Sequence, residues 1–174
     1  MEENNMRTIK VEKITLNIGS GKNPGKLDKG IKLLKSLTGV EPVKTFAHKR
    51  IPAWGLRPGL PIGCKLTLRK NAAYELLPRL LKAKDNKLSI TQFDNNGNLA
   101  FGIHEYVDIP GIKYDPDIGI MGFEVCVTLE RNGYRIKRRR IRPSKIPKDH
   151  TITRENAIEF MKTKFNASVG EDEQ

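Results

Sequence analysis

Apolar and polar residues alternate with a period of two along several stretches of the chain, which is typical of strands with one buried face. The clearest of these stretches is 123–130, and the same alternation marks 64–69. It also runs through 7–18, where its phase slips once between Val11 and Ile14. A slip of this kind predicts a β-bulge in the first strand.

Two turn signals predict how further strands connect. The residues Asp-Asn-Asn-Gly-Asn at 94–98 separate apolar-rich segments at 88–93 and 99–105, which predicts a hairpin. An Asn-Gly pair at 132–133 predicts a second hairpin, whose returning strand would be the Arg-rich segment 134–142.

Three segments show the 3.6-residue period of an amphipathic helix. The first covers 26–37 and the second 71–84. Asn71 is a suitable N-cap for the second helix, which Pro78 should bend or break. Thr153 is placed to cap the last helix.

The order of these elements predicts an α+β fold with two layers, in which a mostly antiparallel β-sheet has the helices packed on one face. A short strand at 43–46 leads into a long protruding loop at 47–63, because six Pro or Gly residues between 52 and 63 interrupt regular structure. We find no repeat or linker, so we predict a single domain over 1–174 with flexible ends at 1–6 and 168–174.

The composition points to an acidic partner. The chain has 32 Lys or Arg and 20 Asp or Glu, a net charge of +12, with only 37% hydrophobic and 6% aromatic residues. Nucleic acid is therefore the first partner to consider and an anionic membrane the second. No apolar run approaches the roughly 20 residues of a spanning helix and no apolar export signal is present, so we expect no membrane partner and a cytoplasmic location.

The positive charge is concentrated in two segments. Residues 44–70 hold seven Lys or Arg and no acidic residue, while 131–150 hold nine against one Asp. The rest of the chain is therefore net negative, at −3. A run of six cations over 135–142 could be a solvated face, but with few acids near it in sequence we favour RNA binding. The sequence thus predicts two separate basic footprints.

The polar positions of the predicted strands would form one surface if those strands are neighbours. Hydroxyls, an amide and cations occupy these positions, with no carboxylate among them, which suits ribose, phosphate and irregular RNA edges. These residues are Thr15, Asn17, Thr45, Lys65, Thr67 and Arg69.

No catalytic or metal-binding arrangement is readable. The glycine loop at 19–25 lies where a phosphate-binding Walker loop would lie, but Ser20 replaces its first glycine and Leu27 its Mg²⁺-binding hydroxyl. His104 and Glu105 would point to opposite faces of a strand. Cys64 and Cys126 lack metal-site spacing. We therefore expect no enzyme, no cofactor and no metal, and keep a nucleotide-dependent enzyme as the competing hypothesis.

Five segments, in order, resemble a known family. They read KITLNIGSG, SLTGVEPVKTFAHK, LRPGLPIGCKLTLRKNAAYELLPRLL, SITQFDNNGNLAFGIHEY and IKYDPDIGIMGFEVCV. They are similar to the universal L-five family of large-subunit ribosomal proteins, in its archaeal and eukaryotic branch. The resemblance covers roughly residues 8–166. One departure is Val40, where the family commonly has Gln.

The resemblance implies a structural constituent of the large ribosomal subunit. It would bind 5S rRNA and anchor it to the large-subunit rRNA in the central protuberance, beside neighbouring large-subunit proteins. It also implies contacts with P-site tRNA and, across an intersubunit bridge, with a small-subunit head protein. An RNA chaperone acting outside the ribosome is a further alternative.

The site residues that we carry over fall into three groups. The positions expected to bind 5S rRNA are Asn17, Thr45, Lys65, Thr67 and Arg69. The tRNA-facing loop would act through His48, Lys49, Arg50, Trp54 and Arg57, although Trp54 could equally cover the edge of the core. General contacts to rRNA are expected at Lys22, Lys26, Arg135, Lys137, Arg138, Arg139, Arg140 and Arg142.

Overall fold

The structure, a computed structural model, describes residues 4–170. Its strands, numbered in chain order, are β1 (Ile9–Gly19), β2 (Val43–Phe46), β3 (Pro61–Arg69), β4 (Lys87–Ser89), β5 (Leu99–Ile103), β6 (Phe123–Arg131) and β7 (Ser168–Gly170). Its helices are α1 (Pro24–Thr38), α2 (Asn71–Lys82), α3 (Arg135–Arg138) and α4 (Arg154–Phe165).

Five strands form the central sheet in the order β2-β3-β1-β6-β5, and all of their pairings are antiparallel. The long β1 lies at the centre, with Leu16 opposite both Leu66 of β3 and Val125 of β6. The register against β6 shifts between Val11 and Lys13, which confirms the predicted bulge.

One face of this sheet carries the core. Side chains such as Ile14, Leu34, Leu77 and Val127 are fully buried between the sheet and the helices. Helix α4 joins this layer by burying Ala157 and Met161. Burial of such side chains supplies the main driving force for folding. The predicted two-layer α+β architecture is confirmed. The opposite face of the sheet is not part of this core.

Side chains cap the N-termini of two of the three long helices, α1 and α4. The side chain of Asn23 accepts a hydrogen bond from the N–H of Lys26 at the start of α1, and Thr153 accepts from Asn156 at the start of α4. Asn71 was expected to cap α2, but it is the first helical residue. The N-cap position is held by Lys70, at φ 55°, without a side-chain hydrogen bond. The prediction of an Asn71 cap is therefore wrong.

Helix α2 continues without a break through Pro78. Proline removes one intrahelical hydrogen bond. The cost is offset because Leu76, Leu77, Leu80 and Leu81 are all buried against the core. Tertiary packing has overridden the local preference, as it commonly does.

Neither predicted hairpin forms. After β4 the chain enters a 3-10 turn, closed by a capping box between Ser89 and Gln92, so only a single bridge joins Phe93 to Leu99. Strand β4 pairs instead with β7 in a parallel two-stranded sheet. Residues 168–170, expected to be a flexible end, are thus part of a strand, while 1–3 and 171–174 lie outside the described residues.

The Arg-rich segment after β6 forms the short helix α3 and then an irregular stretch, not the predicted strand over 134–142. Only Ile136 and Ile141 are apolar between 135 and 142, so the segment lacks the alternating apolar face that would hold a strand against the sheet. The helical turn instead directs Arg138 toward carboxylates on the sheet.

Candidate nucleic-acid interface

The face of the central sheet that points away from α1 and α2, here called the open face, brings the predicted polar residues together. Thr15 lies directly opposite Thr67, and Asn17 lies opposite Lys65, on the neighbouring strands β1 and β3. Thr45 of β2 lies opposite Gly63, so its side chain is next to the same row. The strands are neighbours, as the sequence prediction required, and hydroxyl, amide and ammonium groups converge on one surface.

The open face is not free of carboxylates, in contrast to the sequence expectation. Strand β6 adds Glu124, whose Oε2 lies 3.4 Å from Nδ2 of Asn17. It also adds Cys126 opposite Thr15. The charge therefore changes across the face, with cations on its β3 side and a carboxylate on its β6 side. An RNA phosphate would be drawn to the β3 side.

A cluster of ion pairs occupies one end of this face. Glu12, at the bulge of β1, pairs through Oε1 with Nη1 of Arg69, at 3.1 Å, and with Nη1 of Arg138. Arg138 also donates through Nη2 to Oε2 of Glu130 at 2.6 Å, and Lys10 lies 3.5 Å from the other oxygen of Glu130. Two predicted RNA contacts, Arg69 and Arg138, are thus partly neutralised within the protein.

This cluster is the part of the site that sequence reasoning missed. Few acids lie near the Arg-rich run in sequence, and Glu12 is 126 residues away from Arg138. The bulge that places Glu12 was predicted, but its partner could be known only from the fold.

The basic arm, defined as residues 135–147, is anchored at both ends. Before the arm, Tyr134 accepts a hydrogen bond from the N–H of Ile152 at 2.9 Å and donates to the carbonyl of His150 at 3.2 Å. The His150 ring in turn contacts the carbonyl of Asn132 through Nε2 at 2.8 Å. Apart from Arg138, the cations of the arm are Arg135, Lys137, Arg139, Arg140, Arg142 and Lys145, and all of them are exposed. The arm is therefore fixed at its two ends by hydrogen bonds and carries exposed cations.

The loop at 47–63 has more internal structure than its Pro and Gly content predicts. Ile51 and Leu56 exchange backbone hydrogen bonds of 3.0 and 3.1 Å around a 3-10 turn, Pro52–Trp54. At the base of the loop, the N–H of Ala47 donates to Leu60 and its carbonyl accepts from Gly59, both at 2.9 Å. The loop is thus a narrow, hydrogen-bonded projection.

The aromatic and basic side chains of this loop are exposed. Trp54 is 68% exposed, so the alternative that it covers the edge of the core is wrong. The residues predicted to act with it, His48, Lys49, Arg50 and Arg57, are exposed as well.

The glycine loop does not form a phosphate cradle. The N–H groups of Ser20 and Gly21 both donate to the carbonyl of Ile62, and that of Lys26 donates to the side chain of Asn23. These donors are therefore already used by the protein. The side chain of Lys22 lies against the loop tip, since a Cβ on Gly55 would be 3.6 Å from its Cδ. Lys22 and Lys26 are exposed and can contribute charge, but the geometry does not favour a nucleotide-dependent enzyme.

Two family models match the chain in succession. One, described as "Ribosomal protein L5", matches residues 4–57, and the other, which describes the C-terminus of the same ribosomal family, matches residues 61–160. The chain belongs to the ribosomal protein L5 family.

Individual relatives agree along almost the whole chain. The "Large ribosomal subunit protein uL5" of Sulfolobus acidocaldarius is 47% identical over 168 residues, which is 97% of this chain and 94% of the relative. That of Nanoarchaeum equitans is 49% identical over 168 residues, covering 96% and 99%. That of Methanosphaera stadtmanae is 43% identical over 159 residues, covering 91% and 95%. These relatives are archaeal, which confirms the archaeal and eukaryotic branch expected from the sequence.

Membership of the L5 family identifies a structural, non-enzymatic constituent of the large ribosomal subunit. The expectation of a ribosomal, RNA-associated protein is confirmed at that level, and the nucleotide-dependent enzyme is wrong. Within residues 4–170, no helix is long and apolar enough to cross a membrane.

Burial raises the pKa of both cysteine thiols. Cys64 is enclosed in the core, and its desolvation disfavours the thiolate. The pKa of Cys126 on the open face is raised first by burial and second by the negative charge of Glu124. Neither thiol is activated as a nucleophile.

Proposed function

We propose that the open face of the central sheet binds 5S rRNA through Asn17, Thr45, Lys65, Thr67 and Arg69, and so anchors 5S rRNA in the central protuberance of the large subunit. The observation that carries the proposal is the pairing of Thr15 with Thr67 and of Asn17 with Lys65, which creates a continuous polar row on rigid strands.

The chemistry of this row suits RNA better than DNA. Short hydroxyl and amide side chains such as Thr67 and Asn17 can exchange hydrogen bonds with the ribose 2′-OH, which DNA lacks. Lys65 is exposed beside them and can pair with phosphate. Arg69 is held by Glu12 at 3.1 Å, so its guanidinium is oriented before RNA arrives.

The loop at 47–63 is the part that we assign to P-site tRNA. Its hydrogen-bonded stem projects an exposed indole, Trp54, together with the cations Arg50 and Arg57. An aromatic face with adjacent positive charges can stack on nucleotides and pair with phosphates without reading sequence. The contact is therefore suited to tRNAs of different sequence.

The basic arm and the lysines of the glycine loop complete the proposal as contacts with the large rRNA. Apart from Arg138, the cations of the arm are exposed and form no ion pair within residues 4–170; they are Arg135, Lys137, Arg139, Arg140, Arg142 and Lys145. Contacts with neighbouring central-protuberance proteins and with a small-subunit head protein rest on the family resemblance, and we attach them to no particular residue.

A matched pair of threonine variants tests the open face. Thr67→Ala should weaken binding to a 5S rRNA transcript by about 1–3 kcal/mol if its hydroxyl makes a desolvated hydrogen bond. Thr163→Ala makes the same chemical change on α4 and should leave affinity unchanged. Equal affinities of the two variants would refute the assignment of Thr67.

Salt dependence tests the electrostatic part of the same proposal. About six phosphate contacts should give a slope of log affinity against log salt steeper than about −4, and Lys65→Gln should reduce its magnitude by about 0.7–0.9. Lys164→Gln, on α4, removes the same charge away from the sheet and is the control. A slope near zero for the wild-type chain would refute the proposal.

A reciprocal comparison tests the division between sheet and loop. Trp54→Ala combined with Arg57→Ala should leave 5S rRNA affinity unchanged and reduce binding of tRNA to ribosomes that carry the variant. Thr67→Ala should show the opposite pattern. Loss of 5S rRNA binding in the loop variant would show that the two functions are not divided in this way.

A further inference from the structure

A cleft of about 770 Å³ lies where the end of the open face meets the basic arm. Lys13 of β1 and Thr128 of β6, which are paired in the sheet, contribute to it from the sheet side. Asn96 contributes from the turn at 94–98, and Ser144 and Ile146 from the arm. The volume is within the roughly 300–1,000 Å³ of typical ligand clefts.

Both sides of this cleft are held in place by hydrogen bonds. The carboxylate of Asp94 accepts from the N–H groups of Asn96 and Asn98, at 2.9 and 2.7 Å, and so fixes the turn. On the arm, the N–H of Ser144 donates to the carbonyl of Ile136 at 3.1 Å. The cleft is therefore pre-formed, which lowers the entropy lost when a ligand binds.

The turn and the segment after the arm are also packed directly on each other. Gly97 has φ 77°, and a Cβ at this position would lie 2.4 Å from Cγ2 of Ile152. The side chain of Ile152 thus packs directly on the backbone of the turn. This contact, which only glycine permits, fixes the turn against the segment that follows the arm.

Three kinds of group that can contact a nucleotide line the cleft, together with the carboxylate of Glu12. Lys13, Lys137 and Lys145 supply positive charge, while the charge of Arg138, which also lines the cleft, is offset by Glu12 and Glu130. Pro143, Ile146 and the ring of Tyr134 supply apolar surface. Hydroxyl and amide groups come from Thr128, Ser144 and Asn96.

We propose that this cleft receives one unpaired nucleotide of large-subunit rRNA, with its base against the apolar surface and its phosphate near the lysines. The three kinds of group match the three parts of a nucleotide: a flat apolar base with polar edges, a ribose, and an anionic phosphate. A concave site of this size can enclose a base that is extruded from a helix but not a duplex. The inference rests on the proposed RNA-binding function and adds a second, separate contact to it.

Filling the cleft tests this inference. Ile146→Trp places a large ring in the space, whereas Ile146→Val leaves it open and serves as the control. The full-length variants are each bound to a 5S rRNA transcript and, separately, to large rRNA extracted from subunits, and nucleotide protection is mapped by chemical probing. We expect Ile146→Trp to lose protection at one unpaired nucleotide of the large rRNA and to bind the large rRNA about 5- to 150-fold more weakly.

Unchanged protection and affinity of Ile146→Trp with both RNAs would overturn the inference. The same holds if RNA binding is unchanged and a neighbouring protein is lost from assembled subunits, because the cleft would then be a protein site. If Ile146→Trp unfolds at a lower temperature than Ile146→Val, the test passes to Asn96→Ala, which leaves the packing intact. Asn96→Ala should still weaken protection of that nucleotide, and unaltered protection would overturn the inference.

The result is separable from the test of the open face. If Thr67→Ala has no effect on 5S rRNA while Ile146→Trp removes a protected nucleotide, the cleft contact stands and the sheet contact fails. If Thr67→Ala weakens binding and Ile146→Trp does not, the reverse is true.

Discussion

Gly63 lies where β1 and β2 both approach β3 closely, and its replacement by alanine should destabilise the protein. A Cβ at this position would lie 2.5 Å from the carbonyl oxygen of Ile18 and 3.0 Å from Oγ1 of Thr45. The first of these atoms belongs to the backbone of β1 and cannot rotate away. Strand β1 or β3 would therefore have to move.

The expected magnitude follows from two opposing terms. Overpacking of a tight site commonly destabilises by about 1–3 kcal/mol, while alanine is more favourable than glycine within a strand by roughly 0.5–1 kcal/mol. The middle of each range leaves a net loss of about 1 kcal/mol for Gly63→Ala. For a chain of this size that corresponds to a fall in Tm of about 2–4 °C.

Gly102 provides the matched control for this measurement. It also lies inside a strand, β5, but a Cβ there would have no atom within 4 Å. Gly102→Ala should therefore leave Tm unchanged or raise it slightly. Thermal unfolding of both variants, followed by circular dichroism, compares them directly. If Gly63→Ala unfolds at the wild-type temperature, the close approach of β1, β2 and β3 does not constrain the fold.

Three further predictions concern the helix cap, the basic arm and the open-face thiol. Thr153→Ala removes the side chain that caps α4 through the N–H of Asn156 and should lower the free energy of unfolding by about 0.5–2 kcal/mol, measured by urea denaturation. Arg138→Ala should lower Tm by about 2–4 °C if its exposed ion pairs together contribute about 1 kcal/mol. Arg140→Ala should not change Tm, and equal Tm values for the two variants would refute a structural role of Arg138. Because the pKa of the Cys126 thiol is raised, iodoacetamide should react with it more slowly at pH 8 than with a free cysteine, and faster as the pH rises above about 9. The reaction is followed by mass spectrometry, and equal rates at pH 8 would contradict the raised pKa.

The sequence was sufficient for features that depend on local periodicity. The alternation in β6, the bulge in β1 and the cap at Thr153 are all set by residues close together in the chain, and each is present. The hairpin predicted at 94–98 does not form, and β4 pairs instead with β7, about eighty residues away. A turn motif indicates where the chain reverses, but it does not decide which strands pair.

The open face shows the same division between local and distant information. Its polar row could be predicted because Thr15 and Thr67 each alternate with buried residues in their own strand. The acidic residues that modify this row could not be placed in the same way. Glu124 belongs to a strand whose neighbour in the sheet, β1, is more than one hundred residues earlier in the chain, so only the fold shows that it faces Asn17.

The ion pairs at Glu12 change the meaning of the charge distribution. In the sequence, the basic segments 44–70 and 131–150 are separate footprints. In the fold, Arg69 from the first segment and Arg138 from the second share one carboxylate of Glu12, whose side chain is only 12% exposed. Like charges brought this close would repel, and Glu12 offsets that repulsion. The two basic segments therefore meet at one end of the open face, so that RNA bound to the sheet also lies beside the basic arm.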